Sequence, residues 1–298
     1  MVRQYKIHTN LDGTDDKVWD VTNGKVRFYQ PSNLGLQSTN NIWQSNGIGV
    51  MGTRSITQPQ IEFKLETFGE SLEENYRLMK DFINDILNQK FVTLEYQTEI
   101  FQVYADLALA DVTKTEGYGK NGTFSEKITF DIITKWYTYE NLTFDKIQNG
   151  KVIAGKSKIY GGIAPGNYKY IKGISYTYYG ESNIERLSRW DIKDEIFSFM
   201  GILYPQLPKT PTGVRFLDDI GNEYTAIVFK TEQVQDYILI NTDVNDEIYQ
   251  GWNGTTSLNL FPVMDFERYR TRIIKKGQME LINLTKAEFK IKRKADFV

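Results

Sequence analysis

The stretch Ser71–Gln89, SLEENYRLMKDFINDILNQ, decides how this chain is read, because nothing else in its 298 residues has the period of a long helix. Leu72, Tyr76, Met79, Phe82, Ile83, Ile86 and Leu87 recur at steps of three and four and make one continuous apolar stripe. Ser71, with Glu74 three residues on, has the spacing of a capping box, in which each side chain satisfies a backbone N–H at the helix start. The polar face carries Glu73, Glu74, Arg77, Lys80, Asp81, Asp85 and Gln89. Everything around the helix alternates with the period of a strand, so it is expected to cover one face of a sheet. The fold class is mainly β, of the α+β kind.

Before the helix, Trp19, Val21, Val26 and Phe28 flank Asn23–Gly24, a two-residue hairpin signal. The stretch Asn33–Gly52, NLGLQSTNNIWQSNGIGVMG, reads as a long loop or an irregular hairpin, with Ile42 and Trp43 near its tip placed to anchor on a neighbouring subunit. Ile61, Phe63 and Leu65 then alternate on one face of a strand. After the helix come strands over residues 91–96 and 100–113, a turn EGYGKNG at Glu116–Gly122, and a returning strand with Glu126, Ile128, Phe130, Ile132 and Trp136 on one side. This first module is expected to end near Tyr137, giving domains of 1–138 and 139–298.

A new unit is expected to open with a strand at Glu140–Ile147. Residues 148–189 then carry seven glycines and six tyrosines (Tyr160, Tyr168, Tyr170, Tyr176, Tyr178, Tyr179) but little to bury, which predicts an extended projection of short hairpins. Beyond the dense apolar run Trp190–Tyr204, short strands are expected at Val214–Leu217, Tyr224–Phe229, Tyr237–Ile240, Ile248–Trp252, Leu258–Phe261, Thr271–Ile274, Met279–Leu284 and Glu288–Ile291. That spacing belongs to a β-sandwich or jelly roll.

Composition narrows the function classes. There is no cysteine, so disulfides and thiolate metal sites are excluded, and the single histidine, His8, excludes a histidine-built metal site. A Ser–His–Asp arrangement would have to use His8, and a packing or surface role suits an isolated histidine better. Gly117–Gly122 sits between two strands, so a hairpin turn suits it better than a phosphate loop. Asp15–Asp16 and Asp218–Asp219 fall in turns, where Asp bonds its own backbone. Asp243, Asn245 and Asp246 lack the EF-hand glycine and terminal glutamate, so a solvated turn is expected there. No cofactor and no catalytic residue is expected. The N-terminus lacks a signal-peptide core and no run is long enough to span a membrane, which predicts a soluble protein without an export signal.

Net charge is −2, but successive blocks at 1–140, 141–190, 191–264 and 265–298 balance at −5, +5, −7 and +5. Solvated faces explain such blocks, and so does orientation of neighbouring subunits. The dilution of basic residues by acids argues against sequence-specific nucleic-acid binding. Trp190 and Trp252-Asn253-Gly254 leave a sugar-binding reading open, since exposed aromatics stack on sugar rings.

The order of these elements resembles a known family. The helix, the strand FVTLEY and the segment FSEKITFDIITKWYTYENL, with Phe130, Ile132, Trp136 and Tyr137 leading into a sandwich, are similar to the distal tail proteins (Dit) of siphophages. The lactococcal-phage type, which has an arm extension, is the best match. The resemblance covers essentially the whole chain and rests on organisation rather than a short motif. It implies a barrel-like, ring-forming N-terminal domain, a homo-hexamer enclosing the DNA channel, and a galectin-like C-terminal sandwich. It also implies an arm at about residues 145–188 that holds a receptor-binding protein, with tail tube and tail-tip proteins as axial partners. The expected place is the baseplate at the distal end of the virion tail, assembled in the host cytoplasm. Direct contact with host cell-wall polysaccharide through a carbohydrate-binding module is the alternative function.

Overall fold

A computed structural model of the chain describes residues 3–13, 15–35, 37–57, 60–114, 125–144, 147–148, 151–152, 189–207, 210–230 and 236–295. It is mostly strand with one long helix, as the sequence predicts. Contacts divide it into two units, Met1–Thr138 with Ala295–Val298, and Tyr139–Lys294.

In the first unit the strands are β1 (Gln4–His8), β2 (Val18–Asp20), β3 (Val26–Ser32), β4 (Gln37–Ser45), β5 (Ile48–Thr57), β6 (Gln60–Thr67), β7 (Val92–Gln97), β8 (Gln102–Thr113) and β9 (Ser125–Ile132). The helix α1 spans Leu72–Leu87. An antiparallel sheet runs β2-β1-β7-β8-β9-β6-β3. It curls on itself: Tyr5 on β1 stacks on Tyr96 and meets Phe63 of β6 edge-on, with ring centroids 5.2 and 5.5 Å apart. Alternation explains the interior, since Ile61, Phe63 and Leu65 of β6 are all buried.

The helix starts where the sequence predicts, with the Ser71 Oγ accepting the Glu74 N–H at 3.2 Å. The capping box is only half made. Glu74 reaches back to the N–H of Glu70 rather than Ser71, and its other oxygen pairs with Lys25 at 2.6 Å. The buried face also differs from the expected stripe. Phe82 and Ile86 are buried along with Asn75, whose Oδ1 accepts the Gly69 N–H, while Leu72, Tyr76 and Leu87 are exposed. Phe82 fills the gap between Trp19 and Phe28, both edge-on to it at 5.2 and 5.9 Å. The stripe is wider than the single sheet face it meets, so its flanks stay in solvent.

Asn23–Gly24 does form a turn, with Asp20 accepting the N–H groups of Thr22 and Asn23. It does not make a hairpin, because β2 pairs with β1 and β3 pairs with β6. Local turn chemistry was satisfied while tertiary pairing chose other partners.

The second unit is two packed sheets. Its first sheet has β10 (Tyr137–Phe144), β14 (Ile196–Pro205), β17 (Tyr237–Asn241), β18 (Ile248–Asn253), β19 (Thr256–Asn259) and β21 (Leu284–Lys294), in the order β19-β18-β17-β14-β21-β10. The second has β13 (Arg189–Ile192), β15 (Thr212–Leu217), β16 (Glu223–Phe229) and β20 (Gly277–Ile282), ordered β13-β20-β15-β16. A separate two-residue pair joins β11 (Ile147–Gln148) and β12 (Lys151–Val152). Phe199, Leu203, Ile238, Ile240 and Phe289 from one sheet interleave with Val214, Phe216, Ile227 and Met279 from the other. This is a β-sandwich.

Two expected strands differ here. The one expected at Leu258–Phe261 forms two residues earlier, as β19 (Thr256–Asn259), and Phe261 opens a short 3-10 turn, Phe261–Val263, because Pro262 removes a ladder donor. Thr271–Ile274 makes only an isolated bridge from Ile274 to Ile196. The expected strand at Glu140–Ile147 begins earlier, at Tyr137.

Candidate interaction surfaces

Among the described residues, a cluster of exposed apolar side chains lies on the hairpin β4–β5. Its turn, Asn46–Gly47, has φ of 49° and 77°, the positive pair that a type I′ turn requires and that Asn-Gly tolerates. The two strands pair only with each other among the described residues. Of the two readings of Asn33–Gly52, the irregular hairpin holds, with a register shift between Asn40 and Ile42.

Every described side chain from Ser38 to Ser55 is exposed. Strand alternation sorts the apolar ones onto two faces. Trp43 stands opposite Val50 and shares its face with Ile48, and these are 69, 62 and 69% exposed. Ile42 stands opposite Met51 on the other face, and both are at least half exposed. Ile42 and Trp43, which the sequence singles out together as anchors on a neighbouring subunit, are thus both exposed but leave the ribbon on opposite faces. Ile48, Val50 and Met51 join them, and the sequence reading missed these three because Gly47, Gly49 and Gly52 around them gave the stretch the look of a loop. A two-stranded ribbon has little stability by itself in water. With apolar side chains on both faces it is complete only when something covers it.

Among the other residues singled out by sequence, Tyr160, Tyr168, Tyr170, Tyr176, Tyr178 and Tyr179 lie outside the described residues, as does Glu116–Gly122. Trp190 packs against the sandwich core. Trp252 lies in a cross-strand row: it stacks on Tyr237 at 6.0 Å, Tyr237 meets Tyr204 at 6.3 Å, and the Lys286 ammonium sits over Tyr204 at 5.1 Å. Asp218 behaves as a turn residue, accepting the N–H groups of Ile220 and Asn222. Asp243 does not lie in a solvated turn. It is buried and pairs with Lys292 at 2.9 Å, a contact 49 residues away that no local pattern announces.

The polar centre of the first unit is His8, which is buried. Its Nδ1 lies 2.6 Å from Asp16 Oδ2 and its Nε2 lies 2.8 Å from Glu95 Oε2. Both ring nitrogens are occupied by carboxylates, so none is left to activate a serine. Glu95 also accepts from Lys6 at 2.9 Å and Gln102 at 3.0 Å. Burial pushes the Glu95 carboxyl up, and hydrogen bonds from Lys6 and His8 more than offset it, leaving it below the ordinary carboxylate range. Nearby, burial first and then the charge of Glu95 push Tyr104 up to about 12.

Because Glu95 is depressed in the folded state, its contribution to stability is full above the ordinary carboxylate pKa and fades as pH falls through the folded value. Denaturant midpoints of the wild type and Glu95→Gln should therefore differ at pH 7 and converge as pH drops below about 4. A gap that has already closed above that pH, or that persists undiminished far below it, would contradict this.

Among the described residues, no group of three or more His, Asp or Glu is arranged to hold a metal ion, and no helix is long and apolar enough to cross a membrane. The prominent exposed feature among the described residues is thus an apolar ribbon that no other described strand pairs with. Comparison with known proteins gives the family. A model for the N-terminal domain of distal tail proteins matches residues 4–133, and one for the Dit C-terminal domain matches 135–298. The chain belongs to the distal tail protein family of phage structural proteins.

Its relatives include the distal tail protein of Lactococcus phage p2, 94% identical over 298 residues, and that of Lactococcus phage SK1, 92% identical over 298 residues, each covering 100% of both chains. A chain in the structure of the phage p2 baseplate in its activated conformation with Ca matches with a TM-score of 0.79 at 94% identity, covering 100% of both chains. The corresponding structure with Sr gives 0.80 at the same identity and coverage. The SPP1 Dit protein, described as a paradigm of the hub adsorption apparatus in phages infecting Gram-positive hosts, is 12% identical over 98% of this chain and 99% of its own, with a TM-score of 0.51. That last likeness is one of fold alone.

Proposed function

We propose that this chain is the hub of a phage tail-tip baseplate, a homo-hexamer of the domain 1–138 closed around the DNA channel. The observation that carries the reading is the β4–β5 hairpin, uncovered on both faces and shaped to insert between copies. A heterologous, head-to-tail contact of this kind closes into a ring when its rotation divides the circle. One axial face meets the tail tube protein and the other the tail-tip protein. The second domain, 139–298, is a galectin-like sandwich whose arm, about residues 145–188, carries the receptor-binding protein, with the six arm tyrosines as contacts. Tyrosine suits that task because it gives large contact area at low entropic cost. The blocks of opposite charge set register between copies. Assembly takes place in the host cytoplasm.

The partner relationship is tested by deleting residues 148–188. The ring should persist while capture of the receptor-binding protein is lost. Loss of both would show that the segment belongs to the core and would remove it as the arm.

A second reading, direct contact with host cell-wall polysaccharide, is supported by the aromatic row Tyr204, Tyr237 and Trp252. It predicts saturable binding of the intact protein to purified cell walls that disappears in Trp252→Ala. Binding that is absent, or indifferent to that substitution, would discard it.

A further inference from the structure

His8 is the only histidine in the chain, and it is held between two carboxylates from different parts of the fold. A neutral imidazole carries one N–H and one lone pair, so it can donate to Asp16 or to Glu95 but not to both. The second contact, at 2.6 or 2.8 Å, would then set a nitrogen lone pair against a carboxylate oxygen. The geometry therefore calls for one more proton in the triplet. Neither carboxylate needs it to satisfy its other oxygen, since Asp16 Oδ1 accepts the Asn10 N–H and Glu95 Oε1 accepts from Lys6 and Gln102.

We propose that His8 is held as an imidazolium that forms a proton-dependent clasp, fastening Asp16, on the connection that leads into β2, to the sheet. The charged and titratable groups facing it are Asp16 from the connection, Glu95 from β7, Lys6 from β1 and Tyr104 from β8 through its interaction with Glu95. Lys6 is the one cation among them, and its charge is already matched by Glu95. Two carboxylates therefore favour the doubly protonated ring.

When the proton leaves, the Asp16 contact is the one that yields. Glu95 is fixed in mid-sheet by Lys6 and Gln102, whereas Asp16 sits outside the strands and its side chain is more exposed. The change passes outward along the chain. Lys17 and Trp19, just after the turn, both bind Asp85 of the helix, at 2.5 and 3.0 Å. The clasp thus sets how firmly the β1–β2 connection is held against α1. Its contribution is present while the ring is doubly protonated and is lost as pH rises; at the acid end it is lost again when the carboxylates take up protons.

The test uses the full-length protein without a histidine tag, labelled with ring-15N histidine, so that one residue gives the whole signal. At pH 7 both ring nitrogens should show the shift of a protonated nitrogen. On raising the pH, conversion to a neutral tautomer should coincide with faster tryptic cleavage after Lys17. Asp16→Asn, which removes one acceptor charge at a partly buried position, should leave a single protonated ring nitrogen at pH 7. It should also speed cleavage after Lys17 by about tenfold, the loss of one charge-assisted hydrogen bond. A wild-type ring with only one protonated nitrogen at pH 7 would overturn the proposal without recourse to any variant. Cleavage after Lys17 that is unchanged in Asp16→Asn would do so as well.

Discussion

Replacing Trp43 and Ile42 together with aspartate is expected to convert the assembled protein to a single folded chain. The two side chains leave opposite faces of the β4–β5 ribbon, so the double substitution places a charge into each of the surfaces that would cover it. On the proposed assembly, burial of these side chains between copies would remove apolar area from water at roughly 25 cal/mol per Å², and an unpaired buried charge would reverse that gain several times over. The fold of the chain itself should be untouched, because neither residue belongs to the core of its own unit: Ile42 is 54% and Trp43 69% exposed. The expected result is the mass of one chain with an unchanged circular dichroism spectrum. An assembly that survives the double substitution would show that the ribbon is not part of the contact between copies.

The second large effect lies in the core. Phe82→Ala should lower the unfolding free energy by about 3–5 kcal/mol, the range for emptying a buried aromatic site. The site cannot collapse easily. Trp19 and Phe28 hold its two sides and are themselves fixed, Trp19 by a bond to Asp85 and Phe28 by stacking on Phe63 at 4.6 Å. Since α1 is the one described helix and Phe82 is its central buried side chain, the loss should appear in the stability of the first unit. Equilibrium unfolding followed by tryptophan fluorescence measures it. A loss below about 1 kcal/mol would mean that the helix is not fastened through this residue.

How far the sequence revealed these features depended on whether the cause was local. The start of α1 was legible because Ser71 and Glu74 lie three residues apart. Strand β6 was legible because Ile61, Phe63 and Leu65 obey the period of two without interruption. The turn at Asn23–Gly24 was legible too, but not what followed it, since the partner of β3 is set by β6 some forty residues on. Leu72, Tyr76 and Leu87 matched the helical period yet remained exposed, because periodicity gives the direction of a side chain and not the breadth of the surface opposite. In the hairpin, Gly47, Gly49 and Gly52 around Ile48, Val50 and Met51 gave the stretch the look of a loop.

The polar groups were the least legible. His8 meets a carboxylate eight residues away and another eighty-seven residues away, and Asp243 meets Lys292 across forty-nine. No spacing rule reaches across such distances. What the sequence did supply was the inventory: one histidine, no cysteine, and no motif for nucleophilic or metal chemistry. That inventory narrows the chemistry without naming a function; the family resemblance is what implies assembly.

The central claim is that copies of this chain close into a ring, and the mass of the intact assembly tests it most directly. Native mass spectrometry of the untagged full-length protein, at micromolar concentration in a volatile buffer of low ionic strength, should give the mass of six 34.6 kDa chains. A single chain at every concentration tried would contradict it.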